Sequence, residues 1–143
     1  MGTNKEYWNE EMETLSPGKF REVQEKALLK QLDYVWNHSA FYQKKFGEAG
    51  LERKDIKGLD DLSKLPFTEK MELRDSQVQA PPLGTHMACS MSKVKRIYST
   101  SGTTGRPTFI GVTERDLQVW KEACCRALWT GGFRSDSIVP LTV

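Results

Sequence analysis

The sequence predicts an α/β chain with a helical start, then a β-hairpin around a loop rich in glycine and hydroxyl groups, a helix, and the first strand of a sheet. Three observations predict this order. Apolar residues recur at helical spacing early in the chain, two β-rich stretches flank the loop, and the last eight residues have the pattern of a strand. The length of 143 residues is ordinary for a single domain, which can bury about two-thirds of its unfolded surface.

The first helix is predicted from Ser16 to about Asn37. Ser16 can cap the helix and Pro17 suits its first position. The apolar residues that follow at helical spacing are Phe20, Val23, Ala27, Leu28, Tyr34 and Val35. A second, short helix is predicted from Phe41 to Ala49, ending at Gly50.

Two further helices are predicted from their capping residues. Thr68 is expected to cap a helix that carries Met71, Leu73 and Arg74, and residues 80–84 form a loop after it. Thr113 is expected to cap the last helix, because Asp116 stands three residues on as in a capping box. This helix should end at Gly131-Gly132 and bury an apolar stripe: Leu117, Trp120, Cys124 and Leu128.

The carboxyl end, residues 136–143, is predicted to be a strand that enters a sheet. A parallel strand in the middle of a sheet needs neighbours on both sides. We therefore expect the chain to be the amino-terminal piece of a longer protein.

The run from Tyr98 to Thr108 is the most informative segment, and residues 94–98 and 108–112 flank it as strands. Glycine lets a backbone approach an anion closely, and successive N–H groups can form a cradle for it. Arg106 adds a cation with a fork geometry suited to phosphate. The run therefore indicates a loop that holds a polyphosphate. An ordinary hairpin loop without a ligand is the alternative, whereas a P-loop NTPase is disfavoured because the required Lys is absent and a strand follows.

The motif S-G-T-T-G-R-P-T at residues 101–108 resembles the phosphate-binding loop of the adenylate-forming enzymes. The F-I-G-V-T that follows, and then Asp116-Leu117, resembles phenylacetate–CoA ligases within that superfamily. Upstream, the segment from His38 to Phe46 and the segment D-D-L-S-K-L-P-F-T-E-K, followed by L-R-D at residues 73–75, resemble the same ligases. The resemblance covers nearly the whole chain.

This resemblance implies an AMP-forming acid–CoA ligase that uses ATP, Mg²⁺ and CoA. Such enzymes convert a carboxylic acid into acyl-AMP and then into the CoA thioester. The implied nucleotide-binding residues are Thr100, Ser101, Gly102, Thr103, Thr104, Gly105 and Arg106. The family often has Lys at position 106. No catalytic residue is expected in this chain, because the adenine, ribose and acyl sites and the catalytic Lys would lie beyond Val143; the chain alone is expected to be inactive.

The predicted domain organisation is a helical amino-terminal region, 1–92, and the incomplete start of an AMP-binding domain, 93–143, with the phosphate loop at 98–108. Two alternatives stay open. The chain could be a non-catalytic remnant or interaction module that retains the loop, or an unrelated β-hairpin protein. Continuation of the reading frame into further ligase motifs would separate the enzyme from the first alternative.

Composition narrows the classes of protein that the chain can be. Charged residues make up 28% and the formal net charge is +2, so neither nucleic acid nor a membrane surface is an expected partner. No apolar core of a signal peptide is present at the amino terminus, and we expect a cytoplasmic location. The three cysteines lack Cys-x-x-Cys spacing and His86 has no partner ligand, so no metal is expected. The acid and the oligomeric state stay open.

Overall fold

The computed structural model describes residues 5–101 and 107–140. Four helices precede the hairpin: α1 (Glu10–Glu13), α2 (Pro17–His38), α3 (Ala40–Glu48) and α4 (Lys70–Gln79). Short 3₁₀ turns lie at Arg53–Asp55, Leu59–Lys64 and Met91–Lys93. The strands β1 (Val94–Ser99) and β2 (Phe109–Thr113) then form an antiparallel pair, and α5 (Glu114–Thr130) follows without a linker. The predicted order of helices, hairpin and following helix is confirmed.

The caps predicted for α2 and α5 are confirmed. The Ser16 side chain accepts a hydrogen bond from the Lys19 N–H at the start of α2. At the start of α5, Thr113 and Asp116 each accept from the backbone N–H of the other, which forms the predicted capping box. The predicted ends also hold, since α3 stops at Glu48 before Gly50, whose φ is +67°, and α5 stops before Gly131.

The predicted cap of α4 is wrong by one residue. Glu69, not Thr68, occupies the cap, because the carboxylate of Glu69 and that of Glu72 accept from each other's backbone N–H groups. Carboxylates at this end also face the partial positive charge of the helix dipole. A glutamate can therefore take a position that sequence preference would give to the neighbouring threonine.

The core lies between α2 and α3. Leu32, Phe46 and Ile56 are buried, with exposed fractions of 5%, 3% and 1%. Aromatic contacts extend this core, because the rings of Trp36 and Phe46 stack with centroids 4.4 Å apart. The other side chains packed against it are partly buried: Leu28, Val35, Tyr42, Leu51 and Leu65.

Two predictions about the carboxyl-terminal region are wrong. No residue of α5 is buried, and in the predicted stripe Leu117 is half-buried while Trp120, Cys124 and Leu128 are exposed. Residues 136–140 form no strand, and Ile138 is 95% exposed; residues 141–143 lie outside the described ranges. Both errors have one physical cause. A strand needs a partner for its backbone groups and an apolar helix face needs a surface to cover it, and the described residues supply neither.

The boundary between residues 92 and 93 stays a prediction. Within the described residues, no helix combines the length and the apolar character required to cross a bilayer.

Candidate functional site

Both described ends of the predicted phosphate loop, residues 98–101 and 107–108, belong to the antiparallel hairpin. Thr100, Ser101, Pro107 and Thr108 are the described residues at the end of the hairpin, and Ser101 and Pro107 are exposed. The remaining candidate residues, Gly102, Thr103, Thr104, Gly105 and Arg106, lie outside the described residues. The candidate site is therefore defined here by the stem of the loop and by what holds that stem.

Thr100 and Thr108 close the stem with two hydrogen bonds. The Thr100 N–H donates to the Thr108 carbonyl at 3.1 Å, and the Thr108 N–H donates to the Thr100 hydroxyl oxygen, also at 3.1 Å. The Thr100 hydroxyl thus accepts one bond and keeps its own proton to donate. Thr108 is only 3% exposed, and its hydroxyl has no hydrogen-bond partner among the described residues.

Gln77 of α4 holds the outer edge of β2 beside the stem. Its side-chain Nε2 donates to the Phe109 carbonyl at 2.6 Å, and its Oε1 accepts from the Phe109 N–H at 3.3 Å. A side-chain amide here satisfies both backbone groups that an adjacent strand would otherwise pair. The position of the loop stem is thus fixed by a helix 32 residues earlier in the chain.

The sequence reasoning missed Gln77. A glutamine in a polar helix has the pattern of a surface residue, yet this one is 9% exposed. The one available signal was its place two residues after the L-R-D segment of the ligase-like signature. Arg74 of that segment lies one helical turn before Gln77, and its Nε and Nη2 are buried without a hydrogen-bond partner among the described residues.

The loop after α4 packs against strand β2 of the hairpin. Leu83 is 2% exposed and contacts β2 at Gly111, where an added Cβ would lie 2.7 Å from the Leu83 Cδ1. A glycine at position 111 therefore lets the loop and the strand approach closely.

Ser76 and His86 fasten the same loop to α4. The Ser76 hydroxyl lies 2.7 Å from the His86 Nδ1 and also donates to the Leu73 carbonyl at 2.9 Å. Burial lowers the pKa of His86 below its ordinary value, because the charged imidazolium is disfavoured away from water. Gly84, with φ at +86°, lies against both side chains. His86 is thus a structural residue of the loop.

Positive charge near the hairpin is mostly solvated. Lys93, Lys95 and Arg96 are exposed, and the Arg96 Nη1 lies 3.4 Å from the Tyr98 hydroxyl. These three cations raise the local positive potential without contacting the loop stem in the described residues.

A groove of about 340 Å³ opens between α3 and α4. Lys44 and Lys45 line it, and they pair with Glu48 and Glu72 respectively. The backbone N–H of Glu69 and the ammonium of Lys45 lower the pKa of Glu72. The lysines are thus neutralised within the groove, which makes it a poor site for an anionic substrate.

The cysteines Cys89, Cys124 and Cys125 are unpaired thiols. Across residues 5–101 and 107–140, no three His, Cys, Asp or Glu side chains come together as a potential metal site.

Curated relatives of the chain are phenylacetate–CoA ligases. The Thermus thermophilus enzyme is 40% identical over 124 residues, and the Pseudomonas putida enzyme is 35% identical over 123 residues. These matches cover 87% and 86% of this chain, but only 27% of each relative. The chain thus spans about a quarter of the length of the relatives that it matches. No protein-family model matches it.

Solved structures give the same picture. The fold superposes on 2-hydroxyisobutyryl-CoA ligase in complex with its acyl-AMP, with a TM-score of 0.84 and 29% identity over 93% of this chain and 28% of that one. A second structure of that ligase, with the acyl-AMP and CoA, matches at a TM-score of 0.84 and 31% identity. The predicted resemblance to phenylacetate–CoA ligases and to the adenylate-forming enzymes is therefore confirmed.

Proposed function

We propose that this chain, a relative of the amino-terminal quarter of phenylacetate–CoA ligases, is the part of an AMP-forming acid–CoA ligase that holds the phosphates of ATP. The observation that carries this proposal is the 40% identity to the Thermus thermophilus ligase over 124 residues. A match of 124 residues includes the hairpin as well as most of the helices.

The proposed reaction has two steps. A carboxylate oxygen attacks the α-phosphorus of ATP, which forms acyl-AMP and expels pyrophosphate. The thiolate of CoA then attacks the acyl carbon, which forms the thioester and expels AMP. Negative charge builds on the departing pyrophosphate, so groups that hold the β- and γ-phosphates stabilise the first transition state. We assign this role to residues Thr100 to Gly105, with Arg106 as the cationic partner.

The described residues contribute preorganisation. The two hydrogen bonds between Thr100 and Thr108 hold the two sides of the stem together. The bond from Gln77 to Phe109 fixes the stem against α4. Donors that are positioned before the substrate arrives cost no reorganisation during the reaction. Arg74 lies on the same side of α4 as Gln77. Its Nε and Nη2 have no hydrogen-bond partner among the described residues, and its guanidinium adds positive charge beside the stem.

Magnesium and CoA enter the proposal as substrates. We propose that Mg²⁺ arrives bound to the phosphates of ATP, as is usual where this ion serves a nucleotide substrate. The 2-hydroxyisobutyryl-CoA ligase neighbours were crystallised with acyl-AMP and CoA, which supports the use of CoA by a relative of this chain.

A chimera tests the proposal. The 143 residues replace the matched segment of the Thermus thermophilus ligase, and AMP release is measured with ATP, CoA and phenylacetate. We expect turnover from the chimera and none from the 143-residue chain alone. Thr103→Ala should lower kcat/KM for ATP by roughly ten- to hundredfold, because one hydrogen bond to a charged phosphate is worth about 1.5–3 kcal/mol. Gly105→Ala should also lower kcat/KM for ATP, because a Cβ would obstruct the approach of the backbone to phosphate.

Thr14→Ala is the matched control, because Thr14 is exposed and bonds only its own helix at Glu10. It should leave both substrates unaffected. If Thr103→Ala or Gly105→Ala changed the preference among acids while the kinetics for ATP stayed normal, the loop would not hold phosphate. If the chimera were active and both substitutions left its kinetics unchanged, the loop would be an ordinary hairpin loop that binds no ligand.

A further inference from the structure

Helix α4 brings two unused donors of a guanidinium group to the hairpin. The Nε and Nη2 of Arg74 are buried, and neither has a hydrogen-bond partner among the described residues. The third nitrogen, Nη1, has only the Met71 sulfur at 3.7 Å, which is a weak acceptor. None of the ion pairs between described side chains includes Arg74. Buried polar groups are nearly always paired, so donors left over in this way require an explanation.

The two unused nitrogens form one edge of the guanidinium. The N–H groups of Nε and Nη2 point in the same direction, and their spacing matches two oxygens of a single phosphate or carboxylate group. The ammonium group of a lysine, as a point charge, does not offer this fork. The leftover donors of Arg74 therefore indicate a site for an oxyanion that is bound through two of its oxygens.

A third unused donor lies in the stem of the hairpin. The Thr108 hydroxyl belongs to a residue that is 3% exposed, and it has no partner within residues 5–101 and 107–140. Thr108 directly precedes Phe109, whose backbone N–H and carbonyl both bond to Gln77. Arg74 stands three residues before Gln77 on α4, so their Cβ atoms are about 5–6 Å apart. Arg74 and Thr108 thus flank the same contact between the helix and the strand.

The carboxylates of α4 lie on another side of the helix. Glu72 and Asp75 line the groove between α3 and α4, and Glu72 pairs there with Lys45. At about 100° per residue, Arg74 lies roughly 160° from Glu72 and 100° from Asp75 around the helix axis. The positive charge of Arg74 is therefore available on the hairpin side of α4, where it favours an anionic ligand.

We infer that Arg74 and Thr108 bind the terminal phosphates of the nucleotide, as a second set of donors supplied from outside the loop. The choice of ATP as the ligand rests on the proposed function, whereas the oxyanion site rests on the donors alone. The β- and γ-phosphates leave as pyrophosphate, so donors that hold them stabilise the charge that builds in the first step. A bidentate contact from Arg74 also fixes the orientation of the departing group.

Binding of pyrophosphate to the full chain tests the site directly. Calorimetric titrations are made at low salt, where screening is weak, with pyrophosphate, ATP, AMP and inorganic phosphate. We expect pyrophosphate and ATP to bind with similar affinity. AMP and inorganic phosphate should bind at least about tenfold more weakly, because neither carries the two linked terminal phosphates.

Three variants identify the donors. Arg74→Lys keeps the charge but loses the fork, and it should weaken pyrophosphate binding by about tenfold or more. Thr108→Val removes only the hydroxyl and should weaken binding by roughly tenfold, the effect of one hydrogen bond to a charged group. Arg96→Lys is the matched control, because Arg96 is an exposed arginine of the same hairpin. It should leave the affinity within about twofold.

Urea unfolding separates a role in binding from a role in folding. Arg74→Met removes the donors and keeps a long side chain. Without an anion, its midpoint should equal or exceed that of the unsubstituted chain, because buried donors without partners are lost. Pyrophosphate should raise the midpoint of the unsubstituted chain and not that of Arg74→Met. A clear fall of the midpoint in Arg74→Met without ligand would show that Arg74 bonds within the protein, and would overturn the inference.

The chimera with the Thermus thermophilus ligase separates this inference from the proposed function. There, Arg74→Lys should raise KM for ATP and the inhibition constant of pyrophosphate by similar factors, and leave KM for the acid and for CoA unchanged. An active chimera in which Arg74→Lys has normal kinetics for ATP would refute the role of Arg74 and leave the proposed function standing. An inactive chimera, with a chain that binds pyrophosphate through Arg74, would support the oxyanion site and count against the proposed reaction. Equal affinity for AMP and pyrophosphate would contradict a site for the terminal phosphates.

Discussion

The helices α2 and α3 and the hairpin with α5 differ in how they bury their apolar residues. The first pair encloses Leu32, Phe46 and Ile56, whereas no residue of the 17-residue helix α5 is buried. Yet α5 has the complete capping box and α2 has a single side-chain cap. The difference teaches that local signals decide where a helix forms, and that a separate requirement, a complementary surface, decides whether its apolar face is covered.

Helix α4 and the loop after it form a junction between the two regions. On the hairpin side, Gln77 bonds to Phe109 and Leu83 lies against Gly111. On the other side, the Phe41 N–H at the start of α3 donates to the Thr85 carbonyl of the loop. Substitutions in the core, at the junction and on α5 should therefore have separable effects on stability.

Phe46→Ala should produce the largest effect. Phe46 is 3% exposed and its ring stacks on Trp36, so its truncation should lower the free energy of unfolding by about 3–5 kcal/mol. Urea unfolding measures this. Phe67→Ala, at a residue that is 93% exposed, is the matched control and should change stability by less than about 0.5 kcal/mol. Equal losses of stability from the two variants would contradict the view that α2 and α3 enclose a buried core.

Gly84→Ala should come next, at the junction. Gly84 has φ at +86°, and an added Cβ would lie 2.7 Å from the His86 Nδ1. Left-handed backbone and crowding together should cost about 2–3 kcal/mol. Gly50→Ala separates the two causes, because Gly50 has φ at +67° but open space around it, and it should cost only about 1–2 kcal/mol. A smaller loss at Gly84 than at Gly50 would mean that the loop does not pack against α4.

Gln77→Leu should act on the hairpin more than on the core. It leaves the Phe109 N–H and carbonyl without their partner, at a cost of about 1–3 kcal/mol. Hydrogen exchange should be faster at the Phe109 amide and unchanged in α2. Gln79→Leu, on the exposed side of the same helix, should leave exchange at Phe109 as it was. If exchange at Phe109 were unchanged in Gln77→Leu, the edge of β2 would not depend on the bonds from Gln77.

The smallest effect should be a pH dependence at His86. Burial lowers its pKa in the folded chain below the ordinary value of 6.5, so the unfolded chain binds a proton at a higher pH than the folded chain. Stability should therefore fall as pH drops through 6.5 and level off below the folded-state pKa. Urea midpoints at about pH 7.5 and 5.5 measure this change above the range of acidic side chains.

His86→Asn should remove this part of the pH dependence, and His38→Asn, at an exposed imidazole, should leave it in place. Asp61, Glu72 and Glu122, whose pKa values are lowered by hydrogen bonds, lose their contribution only at more acidic pH. A midpoint that stayed constant between the two pH values in the unsubstituted chain would contradict the proposed role of His86.

Much of the fold could be predicted from short-range patterns. The start of α2 at Ser16-Pro17, the capping box at Thr113 and Asp116, and the two strands around the loop each depend on residues close in sequence. The predicted cap of α4 was wrong by one residue, because the side chains of Glu69 and Glu72 each accept from the backbone N–H of the other.

The remaining features depend on distant contacts. Gln77 and Phe109 are 32 residues apart, and nothing in a glutamine's own neighbourhood predicts a bond to a strand. The burial expected for Trp120 and Leu128 was wrong because periodicity identifies an apolar face but not what covers it. The role of residues 100–106 stays a prediction for the same reason, since a nucleotide contact depends on more of the site than the stem.

The direct passage from β2 into α5 also has a mechanical consequence. Thr113 is at once the last residue of the strand and the cap of the helix, so no flexible joint separates them. A helix of 17 residues is about 25 Å long, and a tilt of about 10° at Thr113 would move its far end by roughly 4 Å. A rotation about Thr113, which pairs with Val94 at the end of the hairpin away from the loop stem, would therefore be amplified along the helix towards Gly131.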